Sequence, residues 1–381
     1  MDKESIELWM ATKQCVAGST RENGILVPEK CMEGEGVVEK IKDDFAAVKP
    51  QVHKTRTRNS SQRLVQVFDM QSIEAARRRL KNADRDQRMR LIPEIERAEQ
   101  NEGKREIPKF GKMAKVLEDL EVVFPNFSEA LSEIESALAL ATARRPADFH
   151  ISPILMNGVP GIGKTAFAQR LADGFGLPFV KISAGGLQHA AAIVGTSSYW
   201  ANTAPGNIFN LLSGGKYATG VVLLDEIDKL DPSTHYGILG ALLELLEPES
   251  ARIFKDVSMD VVFDASHLII LMTSNERDTI DEALLSRARI IEVRQPDFEQ
   301  RVAIMNRWIM GITREIRKKI KPEANPRDVE TLANSTADLR VLHRAIISSY
   351  GRALKEGSTK LEICMDFLQP RQQHRPIGFV R

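Results

Sequence analysis

Five short apolar runs, residues 154–156, 179–182, 221–224, 268–272 and 290–293, are separated by longer stretches in which apolar positions recur every three or four residues. Strands that bury both faces read as continuous apolar runs, so this pattern predicts a parallel sheet with helices on its faces, an α/β fold. After Pro296 no such run recurs, and residues 298–356 predict helices only, a smaller α-domain. Upstream, Leu131, Ile134, Leu138 and Leu140 recur at helical spacing behind Ser128, a residue type that caps helix N-termini. Residues 72–90 have good helix formers but only a thin stripe of Ile73, Ala76, Leu80 and Ala83, which predicts a solvated or bridging helix. Residues 25–27 and 37–38 predict short strands of a small module. Asn101-Glu102-Gly103-Lys104 and Pro108 punctuate the chain, so the main boundary is expected near residue 105.

The chain has 381 residues, which at one domain per roughly 100–200 residues predicts two or three domains. With 43% hydrophobic and 28% charged residues, collagen-like, fibrous and wholly disordered classes are excluded. Lys plus Arg total 53 against 52 Asp plus Glu, so no global electrostatic case for nucleic acid or membrane exists. Residues 54–105 differ, with 14 Lys or Arg against 8 Asp or Glu, the one hint of a basic surface. No apolar stretch approaches the roughly 18 residues of a membrane span, and Met1-Asp2-Lys3-Glu4-Ser5 lacks a signal-peptide layout, so a cytoplasmic protein is expected. Cys15, Cys31 and Cys364 match neither zinc nor disulfide spacing and are read as reduced thiols.

The chemistry begins at Gly158-Val159-Pro160-Gly161-Ile162-Gly163-Lys164-Thr165, which fits G-x-x-x-x-G-K-[ST] between an apolar strand and an amphipathic helix. Glycines there let backbone N–H groups turn inward around phosphates at a helix N-terminus. Lys164 adds a point charge and the Thr165 hydroxyl suits Mg²⁺. Some sixty residues on, an apolar strand ends in Asp225 and Glu226. The first would hold the Mg²⁺ hydration shell, and the second would polarise an attacking water. A third strand runs into Thr273-Ser274-Asn275, where Asn275 would reach the γ-phosphate or the water. No H-E-x-x-H or G-x-S-x-G pattern points to other chemistry.

Taken in order, these residues resemble the AAA+ ATPases and, more narrowly, the ATPase module of the Lon family. Asp225-Glu226-Ile227-Asp228-Lys229, then Ala241-Leu242-Leu243-Glu244-Leu245-Leu246-Glu247-Pro248-Glu249, is similar to that family's second carboxylate motif and the helix after it. Thr279-Ile280 and Leu284-Leu285-Ser286-Arg287 fall where the family has its sensor-to-finger segment, and the resemblance spans about residues 110–355. It implies a P-loop AAA+ domain at 106–296, a helical lid at 297–356, a tail at 357–381 and an accessory, partly linker region of α+β type at 1–105. It also implies that Gly158 to Thr165 form Walker A, that Asp225 and Glu226 form Walker B, and that Asn275 is sensor 1. Arg287 would be the arginine finger that reaches a neighbouring subunit's ATP, hence a homo-oligomeric ring, typically a hexamer; Arg289 lies close by. Arg340 would be sensor 2, although Asp338 stands where the family usually has Gly.

Tyr199-Trp200, ahead of Ala204-Pro205-Gly206, occupies the place of the aromatic pore loop that grips polypeptide, and residues 254–263 resemble the β-hairpin of the clade that includes Lon and the Clp unfoldases. A Lon protease continues into a peptidase domain, whereas 25 residues follow the lid here, so intrinsic proteolysis is not expected. Ile377-Gly378-Phe379 is similar to the tripeptide with which Clp-type unfoldases dock a separate peptidase, an ordinary apolar tail contact being the alternative. The expectation is a Lon-like AAA+ ATPase with ATP and Mg²⁺ as cofactors that remodels polypeptide, alone or with a peptidase or adaptor partner. A nucleic-acid motor or loader acting through residues 54–105 and a slow regulatory ATP switch are the alternatives.

Overall fold

The chain divides into two compact units, Met1–Asn59 and Ser60–Arg381. In the computed structural model the first is described at β1 (Ser19–Glu22) and β2 (Ile25–Pro28), an antiparallel pair, and the second at residues 63–186, 189–197, 203–230, 235–317 and 321–364. The strand expected at 25–27 is present; that at 37–38 lies outside the described residues.

The second unit opens with β3 (Leu64–Gln66), α1 (Met70–Lys81), α2 (Arg85–Glu99) and β4 (Lys104–Glu106). Asp69 and Asp84 start the two helices by accepting the backbone N–H of Ser72 and of Gln87, each at 2.8 Å. The stretch expected to be a solvated helix is therefore a helical hairpin. The stripe of Ile73, Ala76 and Leu80 is buried in one apolar core with Leu91, Ile95 and Ala98 of the second helix, and the start of α1 is tied to the strand at 261–263 by Ser72 accepting the Val262 N–H at 3.1 Å. The boundary expected near residue 105 falls inside this unit, because β3 and β4 pair antiparallel across the hairpin. Phe68, fully buried, lies 5.3 Å from the Phe209 ring and 5.8 Å from Phe263. Arg105 is 2% exposed. Its guanidinium donates to the carbonyls of Arg97 (2.7 Å), Gln100 (2.8 Å), Lys104 (3.0 Å) and Leu212 (3.2 Å) and lies over the Phe68 ring. Much of the basic excess is engaged internally, Arg77 with Glu99, Arg79 with Asp260 and Arg97 with Glu94.

The chain continues through α3 (Met113–Val123), α4 (Ser128–Ala143), β5 (Ile154–Asn157), α5 (Lys164–Phe175), β6 (Phe179–Ser183), α6 (Ala191–Val194), α7 (Asn207–Ser213), β7 (Val221–Asp225), α8 (His235–Leu246), α9 (Pro248–Ala251), β8 (Phe254–Asp256), β9 (Val261–Phe263), β10 (Ile269–Ser274), α10 (Glu282–Leu285) and β11 (Arg289–Glu292). Five strands form one parallel sheet in the order β11-β5-β10-β7-β6. Every residue of β7 and β10 is buried, which is why these strands read as unbroken apolar runs. Ser128 does not cap α4: the helix starts at Ser128 itself behind Phe127, without a side-chain cap. Leu140 is 56% exposed, one position off the buried stripe of Leu131, Ile134 and Leu138. β8 and β9 form the antiparallel hairpin expected at 254–263.

A second apolar core belongs to the lid: α11 (Phe298–Glu315), α12 (Pro326–Ala333) and α13 (Leu339–Glu356) bury Met305, Leu332, Leu342, Ile346 and Tyr350 together. Asp297 and Gln300 close a reciprocal capping box at the start of α11. The lid is not helices alone. A two-residue parallel pair, Glu323–Ala324 with Lys360–Leu361, ties its ends. Cys364 is buried beside it; Cys15, Cys31 and Ile377-Gly378-Phe379 lie outside the described residues. Among the described residues no helix is long and apolar enough to cross a membrane.

Candidate functional site

The loop between β5 and α5 turns through two glycines in left-handed backbone, Gly161 (φ +83°) and Gly163 (φ +105°), conformations that L side chains rarely adopt. At Gly158 a Cβ would stand 2.4 Å from the Val293 carbonyl oxygen. The loop can therefore keep its backbone close to the end of β11 as it leads into the first turn of α5, a helix N-terminus suited to anions. Gly176, also left-handed, stops the helix; its N–H and that of Leu177 return to the carbonyls of Asp173 and Ala172.

At the C-terminal ends of the neighbouring strands the polar side chains converge. Lys164 Nζ donates to Asn275 Oδ1 at 3.0 Å, to the Val159 carbonyl at 3.1 Å and to the Gly158 carbonyl. Thr165 Oγ1 lies 3.2 Å from both oxygens of Asp225. Asp225 also accepts a 2.5 Å hydrogen bond from Thr273 Oγ1 and a 2.5 Å ion pair from Lys181 Nζ. Burial pushes the Asp225 carboxyl up, but the Lys181 ammonium, with the two hydroxyls, outweighs it and holds the group below the usual carboxylate range. Burial pulls the Lys164 ammonium below its ordinary value against the opposing attraction of Asp228 and Asp225.

Glu226 is a non-glycine residue in left-handed backbone (φ 57°), held by its N–H donating to Thr273 Oγ1 at 2.9 Å. Such a residue costs about 1 kcal/mol or more. The turn lets Glu226, exposed, line the same cavity as Asp225 although the two are consecutive.

That cavity, about 1330 Å³, is lined by Gly161, Lys164, Thr165, Asn275 and Glu226 on one side and by Arg340 and Trp308 of the lid on the other. Asp338, where the resemblance leads one to expect Gly, caps α13 by accepting the Val341 N–H at 2.8 Å. Its carboxyl atoms stand 2.8 Å from where a Cβ on Gly161 would lie, so the lid helix begins against the phosphate loop.

Of the residues singled out in the sequence, Pro160, Gly161, Gly163, Lys164, Thr165, Asp225, Glu226, Asn275 and Arg340 meet at this cavity. Gly158, Val159 and Ile162 complete the loop without lining it, Ile162 being buried in the core. Arg287 does not line the cavity: it pairs with Glu247 at 3.3 Å and donates to the Ala283 carbonyl, while Arg289 pairs with Glu133 at 3.4 Å. Tyr199 and Trp200 lie outside the described residues. The stem beside them is closed by Thr196 and Ala204, and the buried Asp256 carboxylate ties it to β8 through the Gly206 N–H at 2.7 Å.

Sequence reasoning passed over Thr273 and Lys181. Thr273 stood two residues before Asn275 in the same quoted tripeptide. Lys181 was visible as the one charge inside the apolar run at 179–182, but an exposed position in an edge strand gives no sequence signal of its partner.

The donor set suits the groups the sequence implies. Thr165 Oγ1 and the Asp225 carboxylate offer hard oxygen ligands at one point, as Mg²⁺ requires, beside the glycine loop at a helix N-terminus and the Lys164 ammonium.

A five-stranded parallel sheet in this order, a glycine loop ahead of a helix and a pair of consecutive carboxylates at the end of β7, one strand removed from β5, fit an α/β P-loop fold of the AAA+ type. Residues 154–295 match the family described as "ATPase family associated with various cellular activities (AAA)". Over 204 residues the chain is 33% identical to the Lon protease of Treponema pallidum, covering 54% of this chain and 23% of that protein. Over 211 residues it is 34% identical to the Lon protease of Mesomycoplasma hyopneumoniae, covering 55% and 22%. The chain thus spans about a quarter of the length of the curated relatives it matches. A solved chain from the closed-state cryo-EM reconstruction of Hsp104 with ATPγS and FITC casein shares the fold, with a TM-score of 0.52 and 16% identity over 64% of this chain and 48% of that one. The chain is thus similar to the AAA family over residues 154–295 and to Lon proteases over about half of its length.

Proposed function

We propose that this module hydrolyses Mg²⁺-ATP and, as a ring of identical subunits, uses the energy to remodel or unfold polypeptide. The observation that carries the reading is the meeting of Lys164, Thr165, Asp225, Glu226 and Asn275 at one cavity under a left-handed glycine loop. Residues 158–165 would bind the triphosphate through backbone N–H groups, with Lys164 neutralising charge there. Mg²⁺, held by Thr165 and Asp225, would supply charge neutralisation of the phosphates. Glu226 is free of hydrogen-bonded partners for its carboxylate among the described residues and takes the proton of the attacking water. Asn275 fixes the water or terminal phosphate, and Arg340 carries the nucleotide's state to the lid. Arg287, outside the cavity of its own subunit, serves a neighbour's nucleotide, which is the reason to expect a ring, most simply a hexamer. Tyr199 and Trp200 would grip the polypeptide.

The test is steady-state ATP turnover with and without an unfolded polypeptide, repeated in Tyr199→Ala. Stimulation that the variant loses supports remodelling. Stimulation by single-stranded DNA alone would transfer the substrate assignment to nucleic acid, and no turnover under any condition would remove the ATPase reading.

A further inference from the structure

Lys181 is the cation ion-paired with the Asp225 carboxylate, and neither the phosphate loop nor the proposed hydrolysis employs it. It lies in β6, whose residue Ser183 pairs in register with Asp225, so Lys181 stands two positions short of the strand's end and its long side chain runs along the sheet edge to the acid. Its Nζ sits 2.5 Å from Asp225 Oδ2, while Oδ1 is taken by Thr273 at 2.5 Å and Thr165 touches both oxygens at 3.2 Å. Nothing else tethers the ammonium among the hydrogen bonds and ion pairs of the described residues, and its side chain is 44% exposed at the mouth of the cavity, against 10% for Asp225. That exposure leaves the ammonium room to swing from the acid into solvent.

A divalent cation bound by Thr165 and Asp225 needs the same carboxylate. Two positive groups at one carboxylate repel, so each weakens the other's binding by an equal factor, the reciprocity of any linked pair. We propose that Lys181 is an internal competitor of the divalent cation: its ammonium occupies Asp225 and must be displaced toward solvent or phosphate before the cation settles, and it thereby sets the Mg²⁺ concentration at which the nucleotide complex forms. This rests on the reading of the cavity as a Mg²⁺-ATP site and names the residue that regulates cation entry. The carboxylate keeps a positive partner in both arrangements, the lysine in one and the cation in the other, so a buried charge is never left without a partner.

The experiment is equilibrium binding of a fluorescent ATP analogue to the full chain, titrated with free Mg²⁺ from a chelated start, in wild type, Lys181→Met and Lys181→Arg. Lys181→Met keeps the length of the side chain and removes its charge. Its half-saturating Mg²⁺ should fall by about fivefold, the scale of a partly exposed ion pair. Lys181→Arg, which retains the charge, should stay within about twofold of wild type. If Lys181→Met destabilises the strand, as a shifted thermal midpoint would reveal, Lys181→Gln gives the same comparison in a polar side chain. An unchanged half-saturation in the neutral variants overturns the competition. A raised one overturns it too, and shows that the ammonium instead assists the phosphates alongside the cation. Absence of analogue binding by wild type at every Mg²⁺ concentration would bring down the nucleotide reading itself, a failure separate from the other two.

Discussion

Arg105 and Lys164 are both buried cations, 2% and 8% exposed, and their surroundings differ in kind. Arg105 sits where the end of α2 meets the end of α7, surrounded by carbonyl oxygens of both helix C-termini and over the face of Phe68. Its five donors are spent on backbone that would otherwise be orphaned, and the negative ends of two helix dipoles converge on it. Lys164 faces a large cavity and holds a side-chain amide and two loop carbonyls, partners that a phosphate can replace. A cation whose partners are fixed backbone is a staple, and one whose partners can be exchanged at an open cleft is a tool. Lys181 falls on the second side, because its partner Asp225 is the group a cation would claim.

The comparison can be broken first at the cleft. Lys164→Ala should weaken ATP binding by at least ~100-fold, since charge-assisted contacts to the phosphates are lost, while the thermal midpoint moves little; an unaltered affinity would place the phosphates elsewhere. Glu226→Gln should keep binding and lower turnover by at least ~100-fold, the usual worth of a general base, and turnover equal to wild type would exclude Glu226 from that role. The two variants separate binding from chemistry within a single cavity.

At the staple the prediction reverses. Arg105→Ala should cost about 3 kcal/mol of unfolding free energy, because several buried carbonyls lose their donor together. ATP affinity of the folded protein should be retained. Arg105→Lys, which keeps the charge but loses the planar fork, should recover only part of the loss. Denaturant unfolding beside nucleotide titration checks both, and a variant that unfolds normally but binds ATP poorly would contradict the division between staple and tool.

The smallest effect concerns acid. Asp225 is held below the usual carboxylate range, so its contribution to stability is present above the unfolded value of about 3.9 and is lost as pH falls through the lower folded value. Asp225→Asn should therefore show a shallower loss of stability below about pH 4, read by acid unfolding. An identical acid limb would mean that the Lys181 pair adds nothing to folding.

How much of this was legible in the chain differs between the same two regions. The cleft was readable because phosphate binding constrains consecutive residues: glycines where only glycine fits, a lysine and a threonine at the helix start, acids at a strand end. The five apolar runs were readable because a sheet buried on both faces leaves no polar alternation. The hairpin of α1 and α2 reads as a solvated or bridging helix because a helix that buries only a narrow stripe has the same sequence pattern as a solvated one. Ser128 looked like a cap, yet helix starts can be set by packing, here of Phe127 against Phe167 at 4.5 Å.

Local sequence determined the P-loop, the strand-end acids and the order of the sheet's apolar runs, because those depend on residues that are neighbours along the chain. Only the tertiary structure decided that Lys181 and Thr273 share Asp225, that Arg287 pairs with Glu247 outside the cavity, that Asp338 sets the lid against Gly161, and that Arg105 joins two helix ends. Each of these depends on groups dozens to more than a hundred residues apart, whose meeting is fixed by sheet register and packing and leaves no periodic trace in the sequence.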